Sequence, residues 1–220
     1  MTNNIKLQEV CKQLHIPVVG TTSWPLPIEA REILQESNPC PFTAADIDER
    51  LIGTTDFMPH SAIVCLFPYH VPHEGPTNLS RYTWATDYHL VVTDYLQRLV
   101  DELKTTAPDA SFSIHCDTSP LADRYMAYLA GLGFYGKNKC FINPTWGSYI
   151  VIGTVLTTLE FESNTPMTDT CMGCNRCITS CLGQCLDGNA FNYATCKSYL
   201  TQKKGDLTDN EQAIIRKSPL

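Results

Sequence analysis

The sequence predicts an α/β chain, with α+β as the alternative, made of a mixed-sheet domain over residues 1–165 and a small cysteine-rich module over residues 166–220. Three observations predict it. Helical and strand periodicities alternate along the first 165 residues. The run "SYIVIGTVLTTL", residues 148–159, is nearly continuously apolar and β-branched, as a strand covered on both faces requires. Near residue 165 the composition changes sharply, and six of the eleven cysteines fall between Cys171 and Cys196.

In chain order, "IKLQEVCKQLH" (residues 5–15) reads as an amphipathic helix, and "IPVVGTT" follows as a short apolar strand. "EAREILQE" lies in a Pro-punctuated region. "SAIVCLFPY", residues 61–69, is a buried strand closed by Pro68, and "HVPHEGPTN" is a loop. From Tyr88 to Lys104 the apolar positions Val92, Leu96, Leu99 and Leu103 recur at helical spacing, with Val91, Tyr95 and Val100 widening the stripe. "SFSIHC" is a strand. In "DTSP", Ser119 is placed to cap the next helix and Pro120 suits its first turn; that helix runs through "LADRYMAYLA" to a stop at Gly131 or Gly133. "EFESNTPMTDT" is a linker. "TDNE", Thr208 to Glu211, is a capping box opening a final helix.

With 220 residues and 43% hydrophobic content, the chain can bury a substantial core. The start shows no basic segment followed by an apolar one, and no apolar run matches a bilayer, so a soluble, cytoplasmic protein with no membrane partner is expected. A net charge of -7 argues against broad nonspecific nucleic-acid binding, because neutralising phosphates takes Lys and Arg. A local patch is compatible with that: Lys203, Lys204, Arg216 and Lys217 bias the end of the chain toward positive charge.

The cysteines carry the strongest chemical signal. "CMGCNRCITSC" spaces Cys171, Cys174, Cys177 and Cys181 as C-x2-C-x2-C-x3-C, whereas structural zinc takes two short pairs separated by a longer loop. Thiolates at successive x2 intervals suit an iron–sulfur cubane, and the fourth cysteine of such a run ligates a second cluster. Cys171, Cys174 and Cys177 are thus assigned to one 4Fe-4S cluster and Cys181 to another, with Cys196 available to the second and Cys185 possible. That leaves the ligand set for two clusters incomplete, so the sequence is expected to stop short of a second cysteine motif. A single cluster on all four cysteines and a zinc site are the rival readings. The scattered Cys11, Cys40, Cys65, Cys116 and Cys140 read as small buried apolar residues.

"SRYTWATDYH" (80–89), "DTSPLADRYMAYLAGLGFYGKN" (117–138), "GSYIVIGTVLTTL" (147–159) and "CKSYLT" (196–201), in that order, resemble the epoxyqueuosine reductase family. The resemblance covers nearly the whole chain from about Ile47 onward. It implies a cobalamin-binding N-terminal domain beside a ferredoxin-like module with 4Fe-4S clusters, two in the family. It also implies reduction of epoxyqueuosine to queuosine in the anticodon loop of tRNA, with an external electron donor. By motif, Asp117 matches the acid proposed to protonate the epoxide-derived oxygen, a role that calls for burial or a nearby negative charge to raise a carboxyl pKa.

Arg81 and Tyr82, with Asp87, Tyr88 and His89, are suited to hold a polar edge of cofactor or substrate, although helix-entry packing explains several of them equally well. Gly147, Ser148 and Gly153 would permit close approach of a planar macrocycle; where the family often carries Glu, this chain has Thr154. Lys137 sits in a flexible turn and His70 and His73 in a surface loop, while Tyr125, Tyr128 and Phe134 read as core. Two other functions fit the cysteines alone: a corrinoid or iron–sulfur oxidoreductase acting on a small molecule, and a noncatalytic iron–sulfur electron-transfer protein.

Overall fold

A computed structural model describes residues 3–36, 39–44, 46–72, 79–188 and 190–217. The elements are α1 (Asn3–Gln13), β1 (Val18–Ser23), α2 (Glu29–Glu36), α3 (Ile47–Ile52), β2 (Ser61–Pro68), α4 (Tyr88–Thr106), β3 (Phe112–Cys116), α5 (Asp123–Leu129), the short pair β4 (Phe134–Tyr135) and β5 (Phe141–Ile142), β6 (Ile150–Thr157), α6 (Arg176–Thr179), α7 (Lys197–Leu200) and α8 (Asp209–Arg216).

Four strands form one sheet in the order β1-β2-β6-β3. Every pairing in it is antiparallel, so the α+β form, rather than a mixed sheet, describes the strand directions. Helices still cover both faces. Along β2 the side chains alternate: Ala62, Val64 and Leu66 join Met126 and Ala127 of α5 in one core, while Ile63 and Cys65 join Leu7, Leu96 and Leu99 of α1 and α4 in the other. This is why β2 and β6 read as continuous apolar runs, since both faces are buried.

The expected helix at 119–130 starts later than its sequence suggests. α5 begins at Asp123 with Ala122 as its N-cap and no side-chain cap bond. Ser119 is not the cap; its Oγ is buried and has no hydrogen-bond partner. Gly131, at φ +69°, closes the helix as expected. Among the scattered cysteines, Cys11, Cys65 and Cys116 are buried, whereas Cys40 is half-buried and Cys140 exposed. No helix among the described residues is long and apolar enough to cross a membrane.

Candidate active site

Antiparallel packing of β3 beside β6 ends β3 at Cys116 and throws the next residue to the edge of a cavity of about 1510 Å³. That residue is Asp117. Its backbone adopts φ +59°, a left-handed conformation that Asp tolerates better than most side chains, and Thr118 N donates back to Cys116 O at 2.6 Å. The chain thereby turns within one residue and aims the carboxylate toward α4.

The first residues of α4 receive it. Tyr88 donates its hydroxyl to Asp117 Oδ2 at 2.6 Å, and His89 Nε2 stands 3.5 Å from the same oxygen. Asp87, the N-cap of α4, accepts from His89 N at 2.9 Å and lies 2.8 Å from its Nδ1. The His89 ring is thus held between two carboxylates and stacks on Tyr88 at 4.1 Å. Burial and the bond to Asp117 both push the Tyr88 hydroxyl above its ordinary pKa, so it stays a donor. The Asp87 carboxyl is lowered by the His89 backbone and ring. The Asp117 side chain is 62% exposed, so burial is not what this site supplies to it.

From Asp117 the cavity runs under α5, with Tyr125, Tyr128 and Tyr135 along one wall and Ile150 and Ile152 of β6 on its floor. Tyr125 and Tyr128 pack on the sheet core, as their spacing predicts, but they also face the cavity. Arg50 and Arg124 bring positive charge to it; burial, then Arg124, lowers the Arg50 pKa. Asp123, on the first turn of α5, is half-buried, and its carboxyl is pushed up to about 7, chiefly by desolvation and then by the Asp117 charge.

The other expected site residues divide. Tyr82 lines the cavity and meets Tyr69 and Tyr88 edge-on. Arg81 donates to Val71 O at 2.8 Å and lies 6.0 Å over the Tyr149 ring, outside the cavity lining. Ser148 is exposed at the turn before β6. Gly153 is buried under α4, where an added Cβ would stand 2.7 Å from Val92 Cγ1; the room it leaves is used by that helix, not by the cavity. Thr154 beside it is buried, with Oγ1 unpaired. His70 is exposed; His73 lies outside the described residues. Asp123, Arg50 and Tyr69 were not singled out in the sequence. An Asp opening a helix looks like ordinary dipole complementation, and only the tertiary fold shows that it is partly withdrawn from solvent beside a second carboxyl.

The cysteines gather at the far end of the chain. Cys171 is held below its ordinary pKa by backbone N–H groups of Lys137 and Gly173, and Lys137 Nζ donates to Asn175 Oδ1 at 2.9 Å, tying the turn after α5 to this run. Cys181 Sγ lies 3.3 Å from Cys185 Sγ. Burial works to raise Cys181, but bonds from the Cys185 thiol and from the Cys185, Gly183 and Leu186 backbone outweigh it and leave the thiol low. Cys185 is pushed up to about 12 by burial, by Cys181 and by Cys196. Cys181, Cys185 and Cys196 are therefore neighbours. Among the described residues no three His, Cys, Asp or Glu side chains converge as a single metal ion would require; a cubane needs thiolates spread around a cage instead.

Residues 57–118 match the family model described as "Epoxyqueuosine reductase QueG, DUF1730". Over 130 residues the chain is 38% identical to the epoxyqueuosine reductase of Bacillus cereus, spanning 59% of this chain and 34% of that protein. Over 154 residues it is 30% identical to that of Leadbetterella byssophila, spanning 68% of this chain and 51% of the relative. The epoxyqueuosine reductase structure from Streptococcus thermophilus superposes with a TM-score of 0.82 at 26% identity, covering 95% of this chain and 60% of that one. The chain belongs to the epoxyqueuosine reductase family. The match extends through the cysteine-bearing region, because the structural coverage reaches nearly the full chain. A further epoxyqueuosine reductase structure, solved with an epoxyqueuosine-modified tRNA-Tyr stem loop, matches with a TM-score of 0.79 at 29% identity over 94% of this chain and 59% of that one. The chain spans about a third to a half of the length of these curated reductases.

Proposed function

We propose that this chain carries the reductase site that converts epoxyqueuosine to queuosine in a tRNA anticodon. The observation that supports it most is Asp117, presented at the edge of a cavity of about 1510 Å³, larger than the roughly 300–1,000 Å³ typical of small-ligand pockets. A space of that size suits a macrocyclic cofactor together with a nucleoside base.

The cavity fits cobalamin on one observation in particular: Ser119 Oγ lines it, buried and without a partner, and a polar group of a bound ligand would relieve that cost. Ser119, the tyrosine wall and the floor of β6 are the residues that would hold the corrinoid. When bound, that group supplies the electrons that open the epoxide. The cysteine region fits iron–sulfur ligation through its thiolate donors and their backbone N–H bonds, with Cys171, Cys174 and Cys177 as one set and Cys181 and Cys196 as part of another.

The protein's own part is protonation and placement. Opening the epoxide leaves negative charge on oxygen, and Asp117 is the acid aimed at the cavity. Tyr88 and His89 fix its Oδ2, so that the carboxyl meets the substrate in one orientation. Exposed Tyr82, which lines the cavity, and exposed Tyr149, packed edge-on to Tyr69 of the lining, would offer faces on which an unstacked anticodon base can lie. The acidic net charge leaves docking of the RNA to local cations.

Anaerobic reconstitution with cobalamin, iron and sulfide tests the reading. Corrinoid absorbance, iron and sulfide in the protein, and conversion of an epoxyqueuosine stem loop are expected. Asp117→Asn should keep the cofactors and lose conversion at least a hundredfold. Uptake of zinc alone, or an Asp117→Asn variant as active as the parent, would defeat it.

A further inference from the structure

We propose that Asp123 is the proton reserve of this site, a neutral carboxylic acid that recharges Asp117 between turnovers; the proposal rests on the reductase reading above. Deoxygenating an epoxide to an alkene breaks two C–O bonds, forms one C=C bond and releases water, consuming two electrons and two protons. The electrons come from the low-potential metal cofactor. One exposed carboxyl can deliver one proton, so a second must reach the same oxygen or the same acid.

Asp123 is placed for that task. It lines the same cavity as Asp117, on the first turn of the helix that the Asp117 turn leads into. Among the described residues it has no hydrogen-bond or ion-pair partner, although a cation is adjacent: Arg124 directs Nη1 to Lys139 O at 2.6 Å instead. The charged and titratable groups that bear on it are Asp117 from the preceding loop and Arg124 from its own helix, together with Cys116 at the end of β3; Arg50 of α3, which Arg124 also influences, lines the same cavity. Cys116 reports the same convergence, its buried thiol pushed up to about 11 by burial and then by Asp117, Asp123 and Asp87. A like charge close by and limited solvent disfavour a second anion, so Asp123 holds its proton beside Asp117. The pair divides the work: one carboxyl is exposed to the substrate, the other is sheltered and loaded. Such divergence between neighbouring carboxyls is how a site separates acid roles.

Asp carboxyl carbons labelled with ¹³C, followed by NMR from pH 5 to 9, test the pair without turnover. The parent chain should show one carboxyl titrating near pH 7. That resonance should be absent in Asp123→Asn and move to lower pH in Asp117→Asn, which removes the neighbouring charge. A parent with no such resonance, or a midpoint unmoved by Asp117→Asn, would overturn the proposal. In the reconstituted protein, single-turnover conversion should fall above about pH 7. Asp123→Asn should slow it at least tenfold below that pH and flatten the profile, while Asp123→Glu restores the shape. An unchanged profile in Asp123→Asn also overturns the proposal. A parent that binds both cofactors but leaves the stem loop unconverted defeats the reductase reading instead, and the NMR arm still decides whether the two carboxyls are coupled.

Discussion

The sheet domain and the cysteine region are held together by different physics. Up to residue 165, two cores flank a four-stranded sheet, and Ile63, Leu96, Met126 and Leu156 are wholly buried. Beyond residue 165, the buried hydrophobic side chains among the described residues are Cys185 and Leu200 alone. The helices there span four, four and eight residues, too short to persist by themselves in water. A region with so little core needs another source of order, and under the proposed function bound clusters would supply it. On the proposed reading, the sheet carries its own core, while the cysteine region would draw its order from the clusters it binds.

Removing iron from protein reconstituted with clusters should break the comparison most visibly. Hydrogen exchange across α6, α7 and α8 is expected to rise on the order of a hundredfold, equivalent to losing about 2.7 kcal/mol of ligand-linked stability, while β2 and β6 keep their protection. Equal protection with and without iron would mean that the region orders itself.

In the sheet domain the largest effects should come from cavities. Leu156→Ala, at a fully buried position of the central strand β6, should cost about 3 kcal/mol in denaturant unfolding, with the thiol chemistry of the cysteine region unchanged. A loss confined to a few tenths would show that Leu156 does not help to hold the core it shares with Met126 and Ala127.

A smaller, pH-dependent effect should come from Asp123. Its folded pKa near 7 lies above the ordinary 3.8, so the folded state keeps a proton that the unfolded chain has lost, and stability falls as pH rises between those values. Asp123→Asn removes that fall. The variant should match the parent near pH 4 and exceed it by on the order of 2 kcal/mol above about pH 7. Parallel stability curves would contradict the burial assigned to this carboxyl.

Smallest and most local is the cap of α8. Thr208 and Glu211 bond reciprocally, Glu211 N donating to Thr208 Oγ1 at 3.4 Å and Thr208 N to Glu211 Oε2 at 2.8 Å, while Lys203 also holds Glu211. Thr208→Ala should loosen that helix by about 1 kcal/mol, read as faster exchange in α8 only.

Much of this was legible in the sequence where local pattern and tertiary environment agree. The strands at 61–68 and 150–157, the long helix α4 and the capping box at Thr208 stand where periodicity and capping chemistry put them. The cysteine spacing suggests soft-metal chemistry without any fold, and that reading stands as a proposal. Strand direction was less visible, because double coverage by helices produces the same apolar runs in parallel and antiparallel sheets. Ser119 looked like a cap because it precedes a helical pattern, but the tight turn at Asp117 delays the helix to Asp123. Gly153 looked like clearance for a ligand, and the clearance belongs to Val92 and Leu96. Asp123 was the hardest to see, since nothing in "LADRY" distinguishes a sheltered acid from a solvated one.

Transfer of electrons to the cavity with proton delivery by Asp117 is tested most directly by one single-turnover experiment. Anaerobic protein loaded with cobalamin and iron–sulfur clusters is reduced, mixed with an epoxyqueuosine-modified stem loop, and the modified base is quantified by mass. The parent should yield queuosine and Asp117→Asn almost none, at equal cofactor content. Equal yields from both, or loaded parent protein that leaves the epoxide intact, would contradict the account.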